Sequence, residues 1–199
     1  MQKTYDRAYF DKWYRDPEHA VASPAEVRRK VALAVSMAEY YLGRPVRNVL
    51  DVGCGEAHWR APLLKLRPKA AYRGLDASPY VVERFGRTRN IGLVRFAALE
   101  YLRFDEPFDL ILCTNVLHYL DAREIRRGLA GFDELLAGVA FIEVFTASDA
   151  TEGDDVDYTE REASWYRRQF RQAGLTAIGS HGYVGRALAP QLLALEIAK

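Results

Sequence analysis

The sequence predicts an α/β protein built on a mostly parallel, doubly wound sheet with helices on both faces. Three observations carry this. Short apolar runs alternate with segments of helical periodicity from residue 46 to residue 145. The runs are continuously apolar, as strands covered on both faces are. The first, Val49-Leu50-Asp51-Val52, ends in Gly53-Cys54-Gly55, and a helical pattern follows. Strand, glycine turn and helix in that order let backbone approach a nucleotide-like ligand closely and offer it unpaired N–H groups.

Length and composition narrow the class. A chain of 199 residues suits one domain with a sizeable core. Apolar residues at 49% and charged residues at 28% are ordinary for a soluble globular protein. A net charge of +1 gives no global attraction to nucleic acid or anionic membrane. No apolar run approaches the roughly 20 residues that span a bilayer, and MQKTYDRAYFDKWYRD has no signal-peptide core. Cys54 and Cys113 sit in apolar strand-end contexts, suggesting neither a disulfide framework nor a zinc site. A reducing, cytoplasmic location is therefore expected.

The elements follow in order. Residues 1–22 form an N-terminal segment in which Tyr5, Tyr9 and Trp13, four apart, share one helical face. With Phe10 and Tyr14 they read either as a short helix stapled to the core or as a lid over the ligand; Asp16-Pro17 breaks it. The main domain, residues 23–199, opens with an N-cap serine, a first-turn proline and a capping-box glutamate in Ser23-Pro24-Ala25-Glu26. A helix runs from there to Leu42 and stops at Gly43 and Pro45. After the glycine turn, Glu56 to about Arg67 reads as a helix, with Pro62 near its first turns or kinking it. Ala71 to Asp76 reads as a strand, Ser78-Pro79 caps a helix to about Thr88, and residues 91–96 and 108–113 read as strands. Asp121 with Glu124 caps a helix to about Ala137, and residues 139–145 form a fifth strand. Residues 146–157, rich in Asp and Glu, read as a loop, either a solvated connector or a rim of the site. Thr159 and Glu162 form a capping box for a helix ending at Gly174. Residues 175–183 and 191–198 read as a closing antiparallel hairpin.

Three places carry chemistry. The glycine turn alone is a weak signal, because a dinucleotide fingerprint would place a third glycine where His58 stands. Asp76, at the end of the second strand, suits a ribose diol. Cys113-Thr114-Asn115, ending the fourth strand, falls beside the glycine turn at the topological switch point where open α/β sheets bind ligands.

DVGCGEAHW, GLDASPYVVERF and FDLILCTNVLHYL, in that order, resemble the class I S-adenosylmethionine-dependent methyltransferases, of the small single-domain bacterial type. The resemblance implies a seven-stranded sheet of order 3-2-1-4-5-7-6, with the seventh strand antiparallel. It also implies S-adenosyl-L-methionine as cofactor. Asp51 and the backbone of Gly53, Cys54 and Gly55 would hold the methionine end, Asp76 the ribose diol. Ala77, Ala98 and Leu99 would border the adenine. Cys113 would offer its carbonyl to the amino group, with Asn115 and His118 facing the methyl-transfer site. Two positions depart from the pattern: many relatives have glycine where this chain has Ala57, and aspartate where it has Ala98.

The expected activity is methyl transfer to a small-molecule acceptor. The sulfonium is already reactive, so the protein mainly supplies alignment. Tyr9, Phe10 and Trp13 could stabilise the cation through their ring faces. His118 is the candidate base, its unperturbed pKa of about 6.5 suiting neutral pH, although a pocket-wall histidine bonding only locally fits as well. His19, His58 and His181 read as structural, and Arg7 or Arg60 could meet the cofactor's carboxylate. Arg123, Arg126, Arg127 and Arg167, Arg168, Arg171 read as solvated helix faces, so nucleic acid is disfavoured. No metal or membrane partner is expected, and the chain could be a monomer or a homodimer. The alternatives are a non-catalytic cofactor-binding module of the same fold, a methyltransferase acting on protein or RNA, or a nicotinamide-dependent oxidoreductase. The last is disfavoured by the missing third glycine.

Overall fold

In the computed structural model, residues 4–16, 18–19, 23–150, 154 and 156–198 are described. Pro17, the boundary near residue 22, and Glu152, Gly153 and Asp155 of the acidic segment lie outside them. Seven strands are seen among the described residues: β1 (Asn48–Val52), β2 (Ala71–Asp76), β3 (Ile91–Leu93), β4 (Phe108–Thr114), β5 (Leu136–Glu143), β6 (Thr176–Gly179) and β7 (Gly182–Val184). They form one sheet in the order β3-β2-β1-β4-β5-β7-β6. The first five run parallel, and β7 is antiparallel to both of its neighbours. This is the order implied by the sequence motifs.

The apolar strands are central because both faces are covered. On one face α2 (Pro24–Leu42), α3 (Arg60–Leu66) and α4 (Pro79–Arg89) pack against Val49, Leu110, Val139 and Phe141. On the other, α5 (Ala122–Ala130), α6 (Phe132–Leu135) and α7 (Ala163–Gln172) cover Leu50, Val52, Ile111 and Ile142. The helix starts follow their expected caps: the Ser23, Ser78 and Asp121 side chains accept first-turn N–H groups. Asp109, the aspartate heading the apolar fourth strand, is buried at the opposite end of the sheet from the glycine turn. Arg44 clamps it with two bonds of 2.7 Å and the Arg47 N–H adds another of 2.7 Å. Although desolvation opposes it, this partner set holds the Asp109 carboxyl below the usual range. No described helix is long and apolar enough to cross a membrane.

Several boundaries differ from the sequence reading, each for a local reason. The expected helix at Glu56 begins only at Arg60, because Ala57 adopts a left-handed φ of 57° and the glycine turn extends to Trp59. β3 stops at Leu93, and residues 96–101 form a 3₁₀ turn. The helix expected to reach Ala137 breaks at Gly131, and β5 begins at Leu136. Glu162 is itself the cap position of α7 rather than the third residue of a capping box, while the Thr159 N–H donates to the His118 carbonyl. The closing hairpin lies wholly within residues 176–184. It turns at Ser180 and His181, both left-handed (φ 46° and 65°) as a two-residue hairpin turn requires. Residues 191–198 add no strand.

α5 packs tightly on the 3₁₀ turn because Gly128 has no side chain. A Cβ there would lie 2.2 Å from the Phe96 ring and 2.6 Å from its carbonyl oxygen. Gly128→Ala is expected to lower stability by about 1–3 kcal/mol, read as a fall in the urea midpoint at unchanged slope. An unchanged midpoint would mean that this contact is looser than described.

Candidate active site

A cavity of about 200 Å³ lies at the carboxyl ends of β1, β2 and β4. Its floor is the glycine turn. Gly53 and Gly55 are left-handed (φ 68° and 50°), and both need the absence of a side chain for a second reason. A Cβ on Gly53 would lie 2.3 Å from Val116 Cγ2, and one on Gly55 would lie 2.5 Å from the Tyr14 hydroxyl. The Gly53 and Cys54 N–H groups donate to the Leu75 carbonyl (2.8 and 3.1 Å), which joins the turn to the end of β2.

Asp76 makes the second connection. One carboxylate oxygen accepts the Gly55 N–H at 2.7 Å, the other the Ser78 N–H at 2.8 Å. Burial raises its pKa, and these bonds oppose the shift. Asp51 is deeper, 3% exposed, and accepts from the Tyr72 hydroxyl at 2.6 Å. Burial pushes its carboxyl up to about 7, against the Tyr72 bond and with the help of the Asp76 charge. Burial thus biases Asp51 toward its protonated form, a bias that an arriving cation would oppose.

The roof is the N-terminal segment. α1 (Arg7–Phe10) passes into a π turn, residues 11–15, closed by the Asp16 N–H on the Asp11 carbonyl at 3.2 Å. That wider turn changes the phase of the helix. Tyr5, Tyr9, Phe10 and Tyr14 line the cavity, whereas Trp13 is buried beside His19 and does not. The expected Tyr9–Trp13 face is therefore corrected to one of Tyr9 and Tyr14. The segment is attached to both loops of the floor. Arg15 pairs with the buried Glu56 at 2.5 Å, and the Ser78 hydroxyl donates to the Tyr5 carbonyl at 2.5 Å. Phe10 stacks on Tyr80 with ring centroids 5.7 Å apart. Burial pushes the phenols of Tyr5, Tyr9 and Tyr14 well up, so they remain protonated donors.

The walls come from Val94 and Phe96 after β3, and from Thr114, Asn115, Val116, Tyr119 and Leu120 after β4. Asn115 is left-handed (φ 57°), and its buried Oδ1 accepts no hydrogen bond from the described residues. Of the acidic loop, Asp154 comes close: its carbonyl accepts the Tyr119 hydroxyl at 3.0 Å.

Of the residues singled out from sequence, the structure gathers Tyr9, Asp51, Gly53, Cys54, Gly55, Asp76, Ala77 and Asn115 around this cavity. Four lie outside its lining. Ala98 and Leu99 sit in the 3₁₀ turn, with Leu99 in the core, because β3 ends early and hands the wall to Val94 and Phe96. The Cys113 side chain faces the core on the α5 side, which does not bear on the role expected for its backbone carbonyl, and Thr114 lines the wall next to it. His118 is buried among Tyr119, Phe145 and Tyr158, its Nδ1 3.4 Å from the Phe145 N–H. Phe96, Tyr119 and His58 were not placed at the cavity from sequence, and Tyr14, expected only as one of the aromatics of the N-terminal segment, reaches it through the π turn. For His58 the available signal was its place directly after the glycine turn.

Residues 50–140 match the family described as a methyltransferase domain. Among solved structures, a SAM-dependent methyltransferase from Archaeoglobus fulgidus superposes with a TM-score of 0.64 at 14% identity, covering 84% of this chain and 73% of that one. The 1,6-didemethyltoxoflavin-N1-methyltransferase of Burkholderia thailandensis, solved with 1,6-didemethyltoxoflavin and S-adenosylhomocysteine, gives 0.59 at 23%, covering 87% and 77%. The cyclase SpnF gives 0.57 at 21%, covering 84% and 63%. No curated protein matches the sequence. At these identities the likeness to solved structures is one of fold.

The buried Asp51 gives a stability prediction. Its folded pKa of about 7 lies above the unfolded value near 3.9, so between these the folded state holds the extra proton. Its contribution to stability therefore falls as pH rises from about 4 to 7. Asp51→Asn removes that fall and should be on the order of 2–4 kcal/mol more stable, relative to wild type, at pH 8 than at pH 4. Denaturant unfolding at the two pH values measures it; an equal difference at both would contradict a buried, raised carboxyl.

Proposed function

We propose, for a chain whose residues 50–140 match a methyltransferase domain and whose fold is that of the class I S-adenosylmethionine-dependent methyltransferases, that it methylates a small, neutral aromatic molecule. One observation carries this reading. A single cavity joins the cradle of Asp51, Gly55 and Asp76 to an aromatic chamber, and among the described residues that line it there is, apart from those two acids, no carboxylate, lysine or arginine. A charged acceptor would find no partner there, and a macromolecular one would have to pass the roof tied down by Arg15 and Ser78. The arginine groups of α5 and α7 do not reach the lining.

The residues suit the cofactor. S-adenosylmethionine supplies an activated methyl on a sulfonium. Asp51, ionising on contact, would pair with its ammonium, and the Asn115 Oδ1, without a partner among the described residues, would accept a further donor hydrogen. Asp76 keeps lone pairs free for ribose hydroxyls while bonded to Gly55 and Ser78. Val94, Phe96 and Ala77 offer an apolar strip for the adenine. Tyr9 and its neighbours would present ring faces to the cation and exclude water, so that residues 4–16 would act as a lid on the domain that follows. Both cysteines are free and buried, which suits a cytoplasmic protein. The Burkholderia relative's heteroaromatic ligand agrees with an aromatic acceptor. The cyclase of the same fold favours a second reading, a cofactor-holding chain without methyl transfer.

Calorimetry with S-adenosylmethionine should show binding, weakened in Asp76→Ala by ~1.5–3 kcal/mol, the worth of a hydrogen bond to a charged group. Radiolabelled methyl transfer into an extract of small metabolites separates the two readings. Absence of any binding at millimolar cofactor would sink the proposal, and binding without label transfer would leave the second reading.

A further inference from the structure

Several groups line the cavity, and most of them are already committed. Asp51 receives the Tyr72 hydroxyl, and Asp76 receives two N–H groups. Burial keeps the phenols of Tyr5, Tyr9 and Tyr14 protonated, and it pushes the Cys54 thiol well up. The expected base, His118, is not in the lining. One imidazole does line the cavity, that of His58, directly after the glycine turn. Its ring meets the edge of Tyr14 with centroids 4.7 Å apart, and no hydrogen bond or ion pair to it is formed by the described residues. The residue as a whole is exposed, while its ring, edge-on to Tyr14, is partly desolvated.

We infer that His58 is the proton acceptor of the reaction, and that the acceptor molecule therefore bears an aromatic hydroxyl or ring N–H. This rests on the methyltransferase reading above. The acceptor oxygen or nitrogen forms a bond to the methyl carbon as the carbon–sulfur bond breaks. The electron pair of that bond stays on sulfur, which becomes a neutral thioether, and the acceptor's proton moves to a His58 ring nitrogen and on to water. The charged groups around the ring are Glu56 of its own loop, Arg15 of the N-terminal segment and Arg89 of α4. Desolvation lowers the His58 pKa, Arg89 and Arg15 lower it further, and Glu56 opposes them, so the ring is neutral and basic at pH 7. Tyr14, edge-on to the ring, belongs to the roof, so closing the lid also fixes the base.

The test uses the full chain, labelled S-adenosylmethionine, and two sets of simple acceptors. One set comprises phenols, catechols and N–H heteroaromatics; the other comprises ring nitrogens that carry no proton. His58→Gln should bind cofactor within about threefold of wild type by calorimetry. It should also lose about 10²–10⁴ in kcat toward the proton-bearing set, together with the acidic limb of the kcat–pH profile. Added imidazole should partly restore His58→Ala. His118→Gln, if it folds by thermal melt, should keep the limb. Transfer only to the proton-free set, an acidic limb unchanged in His58→Gln, or no transfer to either set by a cofactor-bound protein would each overturn the inference. Failure to bind cofactor at all would instead overturn the reading on which it rests.

Discussion

The site depends on one carboxylate shared between two loops. Asp76, at the end of β2, takes the Gly55 N–H on one oxygen and the Ser78 N–H on the other. Charge-assisted bonds of this length are among the stronger ones a protein makes. With the Leu75 carbonyl holding Gly53 and Cys54, they set the spacing between the glycine turn and the start of α4. The roof follows from the floor, because the N-terminal segment is anchored to the same two loops through Glu56 and Ser78. A change at Asp76 therefore alters the cradle, the lid and the mouth of the cavity together.

The site is also where the chain accepts local conflict. Among the described residues, Asp51 is buried with one side-chain donor, the Tyr72 hydroxyl, Ala57 is left-handed, and the buried Asn115 oxygen has no partner. Each costs stability in the chain alone, and such exceptions collect where a ligand is to be held. By contrast Asp109, equally buried at the far end of the sheet, is fully paired with Arg44 and Arg47. The two aspartates head and end neighbouring strands. The difference in their partners separates a group that holds the fold together from one that, on the proposed reading, would meet the cofactor's ammonium.

Much of this was legible in the sequence, because the signals were local. Ser23, Ser78 and Asp121 announce helix starts by their own hydrogen bonds, and the apolar runs announce buried strands. The strand order followed from motif resemblance rather than from spacing. What escaped were consequences of backbone geometry that no residue type dictates. The π turn exchanged Trp13 for Tyr14, and the left-handed Ala57 lengthened the loop and brought His58 to the cavity. The early end of β3 exchanged Ala98 and Leu99 for Val94 and Phe96. His118 read as a candidate base from its ordinary pKa and from the motif resemblance, and the short 3₁₀ turn at residues 117–119 holds it buried, outside the described lining of the cavity.

On the proposed reading, the raised carboxyl of Asp51 would meet the ammonium end of a sulfonium cofactor. The most direct measurement is the ¹³C shift of the Asp51 carboxyl followed through a pH titration, with and without saturating S-adenosylhomocysteine, which carries the same ammonium. The account predicts a midpoint near 7 in the protein alone, falling by more than about one unit in the complex. A midpoint already in the ordinary carboxylate range, or one that the ligand leaves unmoved, would contradict it.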